Sequence, residues 1–192
     1  MKSNFNEETS WEIREQILKY NATFSMTDVE RAKFLGLPKG CRIRENAKII
    51  SQENLKIGTN VWIGESAILD ASGGLEIGAN TSVGLTVFLW SHDSHKLNLE
   101  GDNTKENREK IKRRKTSIGK NCFIAGPSLI MPGVKVGDGC IIGPMSVVYK
   151  DLPKGSVYTP YRDMLHQRNE VKSLREEVNL LKEQLKQLNQ FS

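Results

Sequence analysis

The chain has no long apolar run. Nothing in it approaches the eighteen or so apolar residues that a membrane helix needs. Its start, MKSNFNEETSWEI, lacks the basic opening and apolar middle of a secretory signal, so a cytosolic, cytoplasmic setting is expected. Cysteine is scarce. Cys41, Cys122 and Cys140 are odd in number and widely spaced, which suits reduced, packed thiols and fits no metal-ligand spacing. Histidine is equally scarce, with only His92, His95 and His166. What is present suits one folded domain with an appendage: 192 residues, 38% hydrophobic and 27% charged. That is too charged for a membrane protein and too apolar for a disordered one. The formal charge of +5 favours anionic partners, and where the charge sits decides which.

Three compositional parts follow one another. Residues 1–40 read as a helical cap. Thr9 and Glu12 form a capping box before Trp11, Ile13, Ile17 and Leu18. Thr27 and Glu30 repeat the signature before Val29, Ala32 and Leu35, and Gly36 and Pro38 then supply a stop.

Residues 41–155 carry a six-residue repeat. Ile43, Ile49 and Leu55 step by six; so do Ile57, Ile63, Leu69 and Leu75, and again Ile77, Val83 and Leu89. After an interruption at 91–116, Ile118, Ile124, Ile130, Val136, Ile142 and Val148 keep the step unbroken. Gly, Ala or Asp often follows the aliphatic residue, as in Ile57-Gly58, Ile77-Gly78 and Ile124-Ala125. Four places beyond it stands a small or β-branched residue: Val61, Ala67, Thr81, Val87, Ser128, Val134 or Ser146. A period of six fits neither a helix nor a plain strand. It fits an all-β core built as a parallel β-helix, each hexapeptide one short strand and a turn, with about five triangular coils. Shifts of two residues at Leu55–Ile57 and Leu75–Ile77 read as bulged corners.

Residues 156–192 end in a coiled-coil pattern. Val171, Leu174, Val178, Leu181, Leu185 and Leu188 are spaced 3, 4, 3, 4, 3 among charged and amide residues. The alternative is one amphipathic helix packed on its own domain, but the stripe is narrow and strictly a/d. A seam this short works best where another contact already holds the subunits together.

The segments IGTNVWIGESA and IGKNCFIAGPSLIMPGVKVGDGCIIGPMSVVYKDLP, with the loop opening Trp90-Ser91-His92-Asp93, resemble the hexapeptide-repeat acyltransferases. Within them the chain is most similar to the galactoside, maltose and colanic-acid O-acetyltransferases, over residues 27–162. The resemblance implies a left-handed β-helix and a homotrimer, with acetyl-CoA as donor in the groove between subunits and no metal. It implies a sugar or glycan acceptor, in bacterial surface-polysaccharide synthesis by family habit, and one histidine on the interrupting loop as general base. Three C-terminal helices leaving one trimer suit the coiled coil.

The chemistry narrows the residues. A sugar hydroxyl barely ionises, so its acylation needs a base of near-neutral pKa, and histidine is the obvious one. His166 lies among Arg162, Gln167 and Arg168 and reads as a solvated helix residue. Unaided, the residues leave His92 either a base or a satisfied loop histidine; the family motif places the base at a segment like Ser91-His92-Asp93. His95 either orients the acceptor or is a plain loop residue. Asp93 could orient an imidazole, although adjacent side chains often point apart. Trp90 either stacks on a sugar or fills a corner. By family position the Gly126 N–H stabilises the oxyanion, and Ala125, Gly126 and Gly143 leave room for the donor. Lys150, Lys154 and Arg162 are the cations for its phosphates. Pro160-Tyr161-Arg162 keeps the family's Pro-x-Arg, but the usual Gly-x-Pro lead-in is absent, and Pro144 lacks an N–H to offer the donor.

The densest basic run is Lys105, Arg108, Lys110, Lys112, Arg113, Arg114 and Lys115, offset by Glu106 and Glu109. It reads as a solvated face, or as attraction for donor phosphates or an acidic glycan. It is not a nucleic-acid site: aromatics are not interleaved, and the fold has no groove-reading helix. Two further readings stand beside the O-acetyltransferase: a non-catalytic trimeric scaffold, and an N-acetyltransferase acting on an amino sugar.

Overall fold

The computed structural model describes residues 26–101, 107 and 110–189, with backbone alone at 161–170 and 185–189. The expected first helix, at Thr9–Glu12, lies outside them. The second is present as α1 (Asp28–Phe34), opened by the reciprocal capping box of Thr27 and Glu30. It sits on the first coil. The Arg31 guanidinium is buried there, donating to Ile43 O at 2.5 Å and Met26 O at 2.7 Å.

The core is a parallel β-helix of three faces. Face 1 stacks β1 (Arg42–Ile43), β4 (Trp62–Ile63), β7 (Ser82–Val83), β12 (Phe123–Ile124), β15 (Ile141–Ile142) and β17 (Val157–Tyr158). Face 2 stacks β2 (Lys48–Ile50), β5 (Ile68–Asp70), β8 (Val87–Leu89), β13 (Ser128–Ile130) and β16 (Val147–Val148). Face 3 stacks β3 (Leu55–Ile57), β6 (Leu75–Ile77), β11 (Thr116–Ile118) and β14 (Lys135–Val136), extended by a bridge from Val136 to Leu152. Five coils are complete and β17 begins a sixth.

The hexapeptide pattern maps directly onto this stack. Ile63, Leu69, Val83, Leu89, Ile124, Ile130 and Ile142 point inward and are wholly buried. Each such side chain contributes about 1.5–3 kcal/mol. The small or β-branched residues two places before an inward aliphatic, Val61, Ala67, Thr81, Val87, Ser128, Val134 (before Val136) and Ser146 (before Val148), are buried as well. The free thiols of Cys41, Cys122 and Cys140 fill equivalent inward places on face 1, and burial pushes the Cys122 thiol up.

The corners show how six residues suffice. At the corner from face 3 to face 1, Asn60, Asn80 and Asn121 take the left-handed conformation that asparagine tolerates. Their amides bond from coil to coil at 3.1 and 3.3 Å. At the corner from face 1 to face 2, Asn46, Ser66, Thr86 and Met145 have positive φ. Pro127 occupies that place in the fourth coil, where its ring forbids positive φ. The chain turns there through a cis Gly126–Pro127 bond instead.

One expectation needs correcting. Leu55–Ile57 and Leu75–Ile77 are not bulges but regular strands. Residues two apart share a face of a strand, so both aliphatics of each pair point inward. The extra residues sit just before them, at 51–54 and 71–74, where face 2 turns into face 3. The excursion at 91–116 leaves from the same corner, between β8 and β11. Every insertion thus stands on one edge of the prism.

The C-terminal helix α3 (Pro160–Asn189) leaves after β17. Val171, Leu174, Val178 and Leu181 are exposed along it, so this part of the a/d stripe does not pack on its own domain. Among the described residues no helix is long and apolar enough to cross a membrane. Truncating the core column at Ile124→Ala should cost about 2–5 kcal/mol and lower the thermal midpoint followed by circular dichroism. An unchanged midpoint would contradict the inward placement.

Candidate active site

The site begins where β8 ends. Trp90 is followed by Ser91, which is buried and bonded on every side. Its N–H donates to Asp70 Oδ2 at 3.0 Å, its Oγ accepts from the Gly73 N–H at 2.7 Å, and its carbonyl accepts from the Arg114 N–H at 2.8 Å. A Cβ on Gly73 would stand 2.1 Å from Ser91 O, so only glycine closes this corner. Thr116 Oγ1 donates to Trp90 O at 2.5 Å and accepts from the Gly133 N–H at 3.0 Å. These bonds pin both ends of the excursion to the coil.

His92 and Asp93 form β9, paired antiparallel with β10 (Lys112–Arg113). His92 Nδ1 lies 2.6 Å from Asp70 Oδ2 and 3.1 Å from Ser72 Oγ. The Asp70 side chain is only 2% exposed, while that of His92 is 40% exposed. Burial pushes the Asp70 carboxyl up. Hydrogen bonds from the Ser72 hydroxyl and N–H, the Ser91 N–H and His92 outweigh it and hold the group below the ordinary carboxylate range. An ionised Asp70 requires the proton on Nδ1, which leaves the lone pair on Nε2, an atom with no hydrogen bond among the described residues. The arrangement is a partly exposed imidazole oriented by a buried carboxylate.

Asp93 does not take part in this pair. Its carboxylate accepts from His95, through the backbone N–H at 3.1 Å and through Nδ1. Those bonds hold Asp93 below the usual carboxylate range. His95 opens the short helix α2 (His95–Leu99) and is largely exposed, three residues from His92. Trp90, also exposed, follows β8 at the start of the excursion.

The residues expected to meet the donor are placed differently. Ala125 and Gly126 lie at the corner from face 1 to face 2 in the fourth coil, and Gly143 at the same corner in the fifth. The Gly126 N–H donates to no group among the described residues. His92 lies at the corner from face 2 to face 3. Within one chain the whole of face 2 separates it from Gly126. Lys150 follows β16 at the histidine's corner, with its ammonium 5.8 Å from the Tyr149 ring centroid. Lys154 lies at the third corner, and Arg162 on α3. Lys150 and Lys154 therefore stand on different edges of one chain.

Asp70 and Ser72 were not among the expected site residues. The signal for them lay in the coil length: β5 and β8 pair Leu69 with Leu89, so one coil here is twenty residues. Twenty places before His92 stands Ser72, with Asp70 two residues earlier.

The core is a stack of hexapeptide units, each a strand of two or three residues and a turn, with a histidine on its excursion. Residues 115–150 match the bacterial transferase hexapeptide (six repeats) family, and the likeness read from the sequence holds in both sequence and fold. A protein of Escherichia coli K12, provisionally named a colanic acid biosynthesis acetyltransferase, is 30% identical over 121 residues, 62% of this chain and 61% of that protein. The chain thus spans about three fifths of that relative's length. The maltose O-acetyltransferase of Clostridium difficile 630 has the same fold, with a TM-score of 0.60 at 22% identity, over 81% of this chain and 82% of that one. So does a hexapeptide-repeat acetyltransferase of Vibrio cholerae solved with acetyl coenzyme A, with a TM-score of 0.56 at 17% identity, over 84% and 88%.

A depressed carboxylate stabilises a fold above its unfolded pKa of about 3.9, and that stability is lost as pH falls through the lower folded value. The thermal midpoint should therefore fall more between about pH 5 and about pH 3 in the wild type than in Asp70→Asn. Parallel falls in the two proteins would mean that Asp70 is not held ionised.

Proposed function

We propose that this chain is an acetyl-CoA-dependent O-acetyltransferase acting on a sugar or oligosaccharide hydroxyl, with a place in bacterial surface-polysaccharide synthesis. The observation that carries the reading is the His92 imidazole, held at Nδ1 by buried Asp70 with Nε2 left free. His92 Nε2 takes the acceptor's hydroxyl proton as that oxygen attacks the thioester carbon. The tetrahedral oxyanion accepts from the Gly126 N–H. Collapse breaks the carbon–sulfur bond, and the imidazolium returns the proton to the departing thiolate. Asp70 fixes the ring and stabilises its charged form, as an orienting carboxylate does elsewhere. His95 and Trp90 bind the acceptor.

The reading requires neighbouring subunits, because His92 and Gly126 stand on different corners of one chain. A homotrimer brings one subunit's excursion against the next subunit's corner of Ala125, Gly126 and Gly143. Exposed apolar surface supports the assembly: Phe123, Ile141 and Val157 on face 1, Val147 and Tyr149 on face 2, and Leu85 and Met145 between them. The a/d stripe of α3 continues it.

His92→Ala should lower turnover by about 10²–10⁴-fold, the usual worth of a general base, while calorimetry still shows acetyl-CoA binding. Activity within about tenfold of wild type would remove His92 from the mechanism. Val178→Asp combined with Leu181→Asp should weaken the trimer, read as a lower mass at low protein concentration by light scattering. An unaffected mass would leave the α3 seam without a role in assembly.

A further inference from the structure

We propose that the acceptor is an anionic sugar, a uronate or a sugar phosphate, whose negative group is held by Arg113. This rests on the acyltransferase reading above and names the substrate class of the same site. The register of the hairpin carries it. Arg113 pairs directly with His92 across β9 and β10. Directly opposed residues of an antiparallel ribbon project from one face, with Cβ atoms about 5 Å apart. The guanidinium therefore leaves the backbone on the same side as the imidazole and next to it.

Among the described residues the charge of Arg113 is not engaged, while its neighbours' charges are. Lys115 and Lys56 both engage Glu76, at 2.6 and 3.6 Å. Arg113 is exposed and has no ion-pair partner among the described residues. It lines a groove of about 440 Å³ with Ser72, Asn54, Glu53, Lys56 and Lys115. That volume lies in the range of about 300–1,000 Å³ typical of small-ligand sites. Ser72 joins the groove to the base, since its hydroxyl is 3.1 Å from His92 Nδ1.

The chemistry of the lining fits a ligand bearing both hydroxyls and an anion. Glu53 carries a carboxylate that no lysine engages among the described residues, and carboxylates accept from sugar hydroxyls. A guanidinium forms bidentate pairs with carboxylate or phosphate. The competing use of Arg113 is to hold the donor's phosphates. The full pantetheine arm separates those phosphates from the thioester, whereas Arg113 starts directly opposite the base. The molecule lying against the base is the acceptor.

The test is a set of initial rates with acetyl-CoA and three acceptors of one sugar: the neutral hexoside, its uronate and its 1-phosphate. The proteins are wild type, Arg113→Ala, Arg113→Lys and the distant control Lys135→Ala. Wild type should favour at least one anionic acceptor over the neutral one in kcat/KM. Arg113→Ala should reduce that preference by about tenfold or more, mainly through KM, as expected for hydrogen bonds to a charged group. Arg113→Lys should restore part of it, since a point charge replaces the fork. Preference for the uronate or for the phosphate identifies the source of the charge. A neutral acceptor used as well as both anionic ones overturns the proposal. So does an equal loss on all three acceptors in Arg113→Ala. A rise in the acetyl-CoA Kd in Arg113→Ala beyond that in Lys135→Ala assigns the residue to the donor and also overturns it. If no acceptor is turned over, calorimetry on the enzyme–CoA complex decides, and no anionic-sugar binding at millimolar concentration overturns it. Failure of the wild type to bind acetyl-CoA at all is a different result: it removes the acyltransferase reading on which the proposal stands.

Discussion

Everything in this molecule follows from stacking each coil directly on the next. The strands are two or three residues long, too short to stand alone, and their backbone groups are satisfied only by the coil above and the coil below. In-register stacking also superimposes the inward side chains, so one aliphatic column fills the prism. Both demands tolerate little surplus chain. The corner from face 3 to face 1 is closed by stacked asparagines and glycines, and the corner from face 1 to face 2 by single left-handed residues in every coil but the fourth, where Pro127 stands. Surplus chain is confined to the remaining corner, where it forms a turn in the first coil, a glycine corner in the second and the long excursion in the third.

The candidate active site is a product of that confinement. Successive insertions on one edge lie against each other, which sets Asp70 and Ser72 of one coil beside Ser91 and His92 of the next. A carboxylate as buried as Asp70 is costly unless its oxygens are fully engaged. Here backbone N–H groups of Ser72 and Ser91 share it with the imidazole, so the charge is retained and the ring is fixed. The same corner is closed beneath by Gly73, whose missing Cβ lets the Ser91 carbonyl approach. The excursion returns through β10, and that return places Arg113 opposite His92.

The opposite side of the chemistry is assembled by a different edge. Gly126 and Gly143 stand at the corner from face 1 to face 2, beside the exposed apolar residues of the lower coils. The Gly126 N–H on one edge and the His92 imidazole on another cannot meet around a prism packed solid with aliphatic side chains. A site that uses both must lie between copies, and the proposed trimer with its C-terminal helical seam is the arrangement that meets this need.

The repeat of six, the inward column and the small residues before each aliphatic were legible in the sequence. They are local consequences of strand period and corner geometry, and a linear pattern records them. The same holds for the capping box of Thr27 and Glu30, for the exposed heptad stripe, and for His92 as the histidine on the interruption. The partner of that histidine was not legible in the same way. Asp93 is adjacent in sequence, but successive strand residues point to opposite sides, and it turned to His95. Asp70 is remote in sequence and reaches the ring only because a coil of twenty residues closes on itself. The pairing of Arg113 with His92 likewise depends on where the excursion folds back. A linear pattern sets which residues face inward; which polar side chains meet at an edge depends on coil length and register, and those exist only once the coils are stacked.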